Sequence, residues 1–214
     1  MQALALRLPP RAAIGDTPAV LGEALREEVN LAVWERPLPP CIADYARRLL
    51  QLGEPLSESL TLELADPEAT PDLDDLARRF HGIEGRADFI ADVAWLVRAF
   101  ACLLDARRVG LRLRRLDRAM CPRYHVDHVP LRLITTYAGA GSQWLREGQM
   151  PRNRLGDAAA EPKAVPAGQA MDAGDVALFK GEKWIGNEGR GVIHRSPDVM
   201  PGDARLLLTL DWLA

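Results

Sequence analysis

Apolar side chains recur every three or four positions over Arg86–Ala106, where Phe89, Ile90, Val93, Leu96, Val97, Phe100 and Leu104 form one broad stripe. That period predicts a helix with one buried face. A shorter stretch, Cys41–Leu52, sets Ile42, Tyr45, Leu49 and Leu52 at the same spacing and stops at Gly53, the residue type that most readily takes the left-handed turn ending a helix. Thr17-Pro18 opens a third helix, with Leu21 and Leu25 one turn apart, and Asp72 is placed to cap a fourth carrying Leu73, Leu76 and Phe80. Elsewhere in this half the rhythm shortens to two. Val29, Leu31 and Val33 alternate within Val29–Trp34, and Leu60, Leu62 and Leu64 alternate within Ser59–Leu64, so both read as strands.

From Val109 onward the period of two dominates. Val109, Leu111 and Leu113 alternate with glycine and arginine, and Leu131–Tyr137, Val176–Phe179, Val192–His194 and Arg205–Trp212 are further strand segments. Turn-forming clusters separate them: Ala138–Gly141, Pro166–Gly168, Ala173–Asp175 and Pro201–Asp203. Many short strands with regular turns predict a sandwich or a small barrel. Pro151–Gly168 is the least regular stretch and reads as a loop over one end. The expected product is one α+β domain over residues 1–214, in which a mixed helix and strand region (1–107) packs on a β-core (108–214).

Composition narrows the functional classes. The 27 Lys and Arg against 30 Asp and Glu give a net charge of −3, which provides neither a counterion-release drive onto nucleic acid nor a polybasic membrane anchor. No apolar run approaches the ~18 residues that span a bilayer, and Met1–Pro10 lacks the basic and apolar regions of a leader sequence. The three cysteines, Cys41, Cys102 and Cys121, form no CxxC pair, so neither a disulfide framework nor a zinc ribbon is expected, and a reducing cytoplasm fits.

Chemistry concentrates around Cys121-Pro122-Arg123-Tyr124-His125-Val126-Asp127-His128. On a strand, residues i and i+2 share a face, so His125 and Asp127 project together. A third ligand from another strand completes a two-histidine, one-carboxylate triad, which leaves three open octahedral positions and suits non-haem Fe(II). His194, at the end of Gly191-Val192-Ile193, is that ligand. Arg205 opens the final apolar strand, and its guanidinium can hold a carboxylate through a bidentate fork.

This order of His-x-Asp, distant His and Arg resembles that of the double-stranded β-helix (jelly-roll) dioxygenases that use Fe(II) and 2-oxoglutarate. The segments Gly174–Phe179 and His194-Arg195-Ser196-Pro197 resemble the same superfamily, and the likeness covers Leu111–Ala214. It implies a jelly-roll core, a metal held by His125, Asp127 and His194, and Arg205 on the far carboxylate of 2-oxoglutarate. Many such enzymes carry Ser or Thr two residues after the arginine. Here that residue is Leu207, and the hydroxyls of Thr135 and Tyr137, on one face of one strand, are candidates for the missing contact. A closer likeness, carried by Cys121–Asp127, Thr135–Gly139, Gln143–Leu145, Gly191–Pro197 and Arg205–Asp211, is to the bacterial domain-of-unknown-function family 1826. Members of that family accompany zinc-homeostasis genes, which implies a second reading: a zinc-binding protein of metal handling, linked to zinc-homeostasis proteins and without oxidation chemistry.

Alternatives stand beside each assignment. His125 and His194 can be ordinary core histidines satisfied by Asp127 or by carbonyls. Cys121 and His128 can complete a zinc site, although Cys121 reads equally as a small buried apolar residue and His128 and His81 as surface residues. Arg205 can be a rim charge paired with Asp203 or Asp211, and Trp144 and Trp184 can line a substrate mouth or fill the core. Asp157, Glu161 and Lys163 read as solvated loop charges. Gly186–Gly191 lacks the Lys-Ser/Thr and the following helix of a phosphate-binding loop, which excludes nucleotide binding there. No substrate, small molecule or protein, is legible.

Overall fold

The computed structural model describes residues 8–213. Met1–Arg7, most of the segment tested above for a leader, and Ala214 lie outside the described residues. The described strands are β1 (Arg11–Gly15), β2 (Val29–Trp34), β3 (Ser57–Glu63), β4 (Arg108–Leu116), β5 (Leu131–Ala138), β6 (Gln143–Leu145), β7 (Val176–Lys180), β8 (Ile193–Arg195) and β9 (Arg205–Trp212), with helices α1 (Pro40–Gln51) and α2 (Arg86–Leu104). Seven strands make one sheet in the order β1-β2-β7-β5-β9-β4-β3, and β6 pairs with β8 in a second. All pairs are antiparallel except β1 with β2. Single bridges from His125 to His194 and from Gln143 to Ala170 widen the small sheet on both sides. From β4 to β9 the chain thus alternates between two facing sheets, which is the winding of a double-stranded β-helix. The first half adds β1, β2 and β3 to the edges of the larger sheet.

Two apolar clusters lie on either side of that sheet. One joins α1 and α2 to Val109, Leu111, Leu113, Leu133, Tyr137, Val176, Leu208 and Leu210. The other fills the space beneath the small sheet with Leu31, Val33, Ile134, Trp144, Phe179, Val192 and Leu207. A third, of Tyr124, Leu145, Met150 and Ile193, lies on the outer side of the small sheet. Strand parity explains the sorting, since neighbours in sequence point to opposite faces. The central strands are buried on both faces, and their hydrophobic runs are correspondingly continuous.

The helix expected after Asp72 does not form. Leu73, Leu76 and Phe80 are buried as expected, but turns and a short 3-10 stretch, Arg78–Phe80, carry them. Asp72 accepts from the backbone N–H of Asp74 (3.0 Å), and the N–H of Ala77 is taken by the Glu58 carboxylate (2.9 Å) while Ala77 sits at φ +52°. A left-handed residue and a diverted amide are incompatible with a continuing helix. Pro18–Leu25 is likewise a 3-10 helix, and Thr17 makes no side-chain cap.

Candidate metal centre

His125 and His194 are fixed to each other through their backbones. The N–H of His125 donates to the His194 carbonyl (3.0 Å) and the N–H of His194 to the His125 carbonyl (2.9 Å), so the two rings lie with centroids 4.4 Å apart. His194 belongs to β8, whereas of the His-x-Asp motif only His125 joins the small sheet, through this one bridge. Asp127 stands two residues on in irregular chain rather than on the strand that parity reasoning supposed. What brings Asp127 back is the turn after β7. Its carbonyl accepts from Glu182 (2.9 Å), and Gly181 donates to the Pro130 carbonyl (2.9 Å). A Cβ at Gly181 would stand 2.1 Å from the Val129 oxygen and 2.7 Å from the Asp127 oxygen, so this close passage requires glycine.

One ligand atom each from His125, Asp127 and His194 lies within 4.8 Å of the others. The Asp127 carboxylate is 3.5 Å from Nε2 of His194 and 3.8 Å from Nε2 of His125, beyond ordinary hydrogen-bond length. The histidines are therefore not simply satisfied by the aspartate. Their Nδ1 atoms contact carbonyls instead: His125 that of Arg123 (2.9 Å), His194 that of Val192 (3.0 Å). A carbonyl can only accept, so Nδ1 carries a proton in each ring, and Nε2 is the ring atom turned toward Asp127. Burial, then the neighbouring His125, hold the His194 imidazole below its ordinary titration range against the pull of Asp127. It is thus neutral, the form in which imidazole binds a metal.

Asp127 is oriented by Arg132. Nη1 of Arg132 donates to Asp127 Oδ2 (2.8 Å), while Nε and Nη2 fork onto Asp211 (2.6 and 3.1 Å). Sequence reasoning missed this residue. Its position on β5, on the face opposite Leu131 and Leu133, was the available signal.

Arg205 is 1% exposed, so it is no rim charge, and its partner is neither Asp203 nor Asp211. Nη2 donates to the hydroxyls of Thr136 (3.0 Å) and Ser142 (3.2 Å), while Nε and Nη1 are buried without an acceptor. Among the described residues no carboxylate pairs with it. Burial alone pushes its pKa down to about 10. Arg205 shares the concave face of β9 with Leu207, Thr209 and Asp211, the face that also carries Arg132 of β5. Gly139 makes room for it, since a Cβ there would stand 2.9 Å from the Arg205 Cβ, and Gly139 itself is left-handed at φ +83°.

The expectation for Thr135 and Tyr137 is corrected. Thr135 is in register with Val176 and Leu208, both in the helix-side cluster. Tyr137 packs on Phe89 and donates its hydroxyl to Asp92 (2.6 Å), which Arg36 also holds. Both therefore face the helices, and the hydroxyl beside Arg205 belongs to Thr136. Cys121 and His128 do not join the ligand group. Trp144, in register with His194, is buried in the cluster beneath the small sheet, and Trp184 stacks with Trp212 away from it. Glu161 is no solvated charge: its carboxylate accepts from the N–H of Tyr124 (3.0 Å) and from Arg195 (3.0 Å), pinning the irregular stretch behind the small sheet. Asp157 and Lys163 are exposed as expected.

The fold and the three facing side chains define a jelly-roll protein with a His-Asp-His group. Within that class, residues 15–211 match the family described as "Protein of unknown function (DUF1826)", and the chain belongs to it. Among curated proteins none matches it in sequence. Solved structures share the fold at low identity. Dioxygenase for auxin oxidation 1 of Arabidopsis thaliana, solved with 2-oxoglutarate, is 12% identical with a TM-score of 0.51, over 97% of this chain and 93% of that one. A Shewanella oneidensis protein described as a candidate oxygenase is 10% identical with a TM-score of 0.50, over 94% and 89%. The rice dioxygenase for auxin oxidation is 16% identical with a TM-score of 0.49, over 97% and 83%. No described helix is long and apolar enough to cross a membrane.

Proposed function

We propose that this chain is an Fe(II)- and 2-oxoglutarate-dependent oxygenase. The observation that carries the reading is the buried Arg205, whose guanidinium faces the interior of the jelly-roll with no countercharge among the described residues and two donors unspent. A protein gains by burying a bare cation when an anion arrives to meet it. The chain's donors fit the metal as well. His125 and His194 present Nε2 lone pairs, Asp127 presents a carboxylate, and the group has three members, which leaves positions for other ligands. A closed structural zinc site uses four, and neither Cys121 nor His128 supplies the fourth.

In this reading His125, Asp127 and His194 hold the iron, and Arg205 binds the distal carboxylate of 2-oxoglutarate. When bound, the iron and its cosubstrate supply oxidative decarboxylation coupled to hydroxylation of a C–H bond. The remaining work belongs to the protein. Arg132 fixes the rotation of the Asp127 carboxylate, and the Arg123 and Val192 carbonyls fix the tautomers of the two rings. Phe179, whose ring is 4.7 Å from that of His194, and Trp144 exclude water from one side of the centre.

The test is spectroscopic and anaerobic. Metal-free protein is given Fe(II) and then 2-oxoglutarate. A visible charge-transfer band that needs both additions, and that is absent in Asp127→Ala and His194→Ala, is the expected result. Tight zinc retention with no band under any addition would replace this reading with metal handling.

A further inference from the structure

The face of the large sheet that carries Arg132 and Arg205 continues onto β4 and β3, where its side chains are exposed or half-buried. Arg112 and Arg114 are two residues apart on β4 and share that face, in register with Thr209 and Leu207 of β9. Ser57, Ser59 and Thr61 of β3 lie beside them and are exposed. Their charges are poorly answered. Arg112 pairs with Asp211 (2.9 Å), but Asp211 already takes the fork of Arg132, whose remaining arm goes to Asp127. Arg114 donates only to neutral acceptors: the Glu58 carbonyl, the Leu113 carbonyl (3.1 Å) and the Ser59 hydroxyl (2.7 Å). The nearby Glu58 carboxylate is committed to the Ala77 N–H. Among the described residues Arg114 has no ion pair. Burial, and then Arg112 beside it, hold its guanidinium below the usual arginine range.

Arg112 and Arg132 thus share Asp211, Arg132 alone holds Asp127, and Arg114 contacts neither carboxylate. A divalent ion at the triad would draw on Asp127 and deepen the deficit. The Arg112 side chain is 48% exposed, so the excess charge is reachable from solvent. Paired arginines with hydroxyls alongside are the donor set for an oxyanion.

We propose that Arg112 and Arg114 bind an acid group of the molecule that is oxidised, making the substrate a small organic anion bearing a carboxylate or a phosphate. Its identity as substrate rests on the oxygenase reading; the anion site itself does not. The cation pair lies on the same sheet face as the triad's Arg132 partner, so an acid group held there leaves the rest of a small molecule directed toward the centre.

The test uses calorimetric titration of the full metal-free chain with inorganic phosphate and, separately, with acetate. The expected result is millimolar binding of at least one anion, weakened about tenfold or more in Arg114→Gln and in Arg112→Gln, and retained within a few-fold when both become lysine, with the Arg114-dependent binding kept in an Arg205→Met background. Preference for phosphate or for acetate tells which acid group the site takes. Arg112→Gln loosens Asp211, so its fold is checked by circular dichroism. Should it unfold, Arg114→Gln, which breaks no ion pair, decides. Binding of neither anion overturns the proposal, as does binding lost in Arg205→Met and kept in Arg114→Gln. A missing charge-transfer band with anion binding intact sinks only the oxygenase; a normal band without anion binding sinks only this site.

Discussion

Replacing Arg205 by methionine separates a ligand-binding arginine from a structural one. Burial lowers its pKa from 12.5 to about 10, and each unit corresponds to about 1.4 kcal/mol. Holding the side chain charged at neutral pH therefore costs roughly 3 kcal/mol. Its two hydrogen bonds to Thr136 and Ser142 return an amount of the same order, about 1.5–3 kcal/mol for each bond to a charged group. The two contributions largely offset each other. Arg205→Met, which keeps the length and apolar stem, should change the stability of the ligand-free protein by no more than about 2.5 kcal/mol. Truncating a buried arginine that is truly ion-paired costs about 3–5 kcal/mol. The ligand response should behave oppositely. Saturation at a hundred times the dissociation constant stabilises a protein by about 2.7 kcal/mol, which for a chain of this size is roughly 5–10 °C in melting temperature. Iron-loaded, anaerobic wild type should show that rise with 2-oxoglutarate, and the variant should lose most of it. Thermal and urea unfolding, with and without 2-oxoglutarate, measure both quantities. A variant destabilised by more than about 3 kcal/mol that still gains the full ligand stabilisation would refute the assignment and make Arg205 a structural residue.

Other expectations concern the supports of the site. Gly181→Ala places a methyl against the Val129 and Asp127 carbonyls, so it should destabilise by about 1–3 kcal/mol and weaken metal binding, measured by competition with a chromophoric chelator; unchanged affinity would mean that the Asp127 loop does not depend on this turn. Tyr137→Phe removes the hydroxyl held by Asp92 and should cost about 1.5–3 kcal/mol in urea unfolding while leaving 2-oxoglutarate binding intact, whereas a selective loss of that ligand would return Tyr137 to the pocket. Lys180 is buried, donates to the Arg26 carbonyl (2.8 Å), and is pushed down to about 8, chiefly by burial. Its folded pKa lies below its unfolded value of 10.5, so the unfolded chain binds the extra proton between pH 8 and 10.5. The penalty is full below pH 8 and is relieved as pH rises through that window. Lys180→Met should therefore stabilise at pH 7 by about 1 kcal/mol or more, with the gain shrinking toward pH 10.5; a pH-independent difference would contradict the burial argument.

The His-Asp-His group was legible because residue type carries it: of four histidines, two flank Asp127 and a third ends a β-rich run, which leaves few combinations. Strands with one polar face, such as β4, were legible from alternation, and α2 from its stripe. What failed was facing. β5 is buried on both sides, so its run of apolar and hydroxyl residues does not say which side meets the helices, and Thr135 and Tyr137 were assigned to the pocket in place of Thr136. β1 reads Arg-Ala-Ala-Ile-Gly and has no period to detect; its parallel pairing with β2 forms it. Arg132 and Glu161 were missed because a charge that spends itself on distant partners looks, in one dimension, like any solvated charge.

The last strand in chain order, β9, is also a middle one: it lies between β5 and β4, and every other strand of the large sheet is built before it. Without β9 the large sheet would divide into two pieces with open edges facing each other, one carrying β5 with β7, the other β4 with β3. Joining them takes pairings of β9 with β4 and β5 that are distant in sequence, the kind of contact that raises contact order and slows folding. The same strand delivers Arg205 and Asp211, so the stitch that closes the sheet also brings in the arginine and the aspartate on which the centre's charge balance depends.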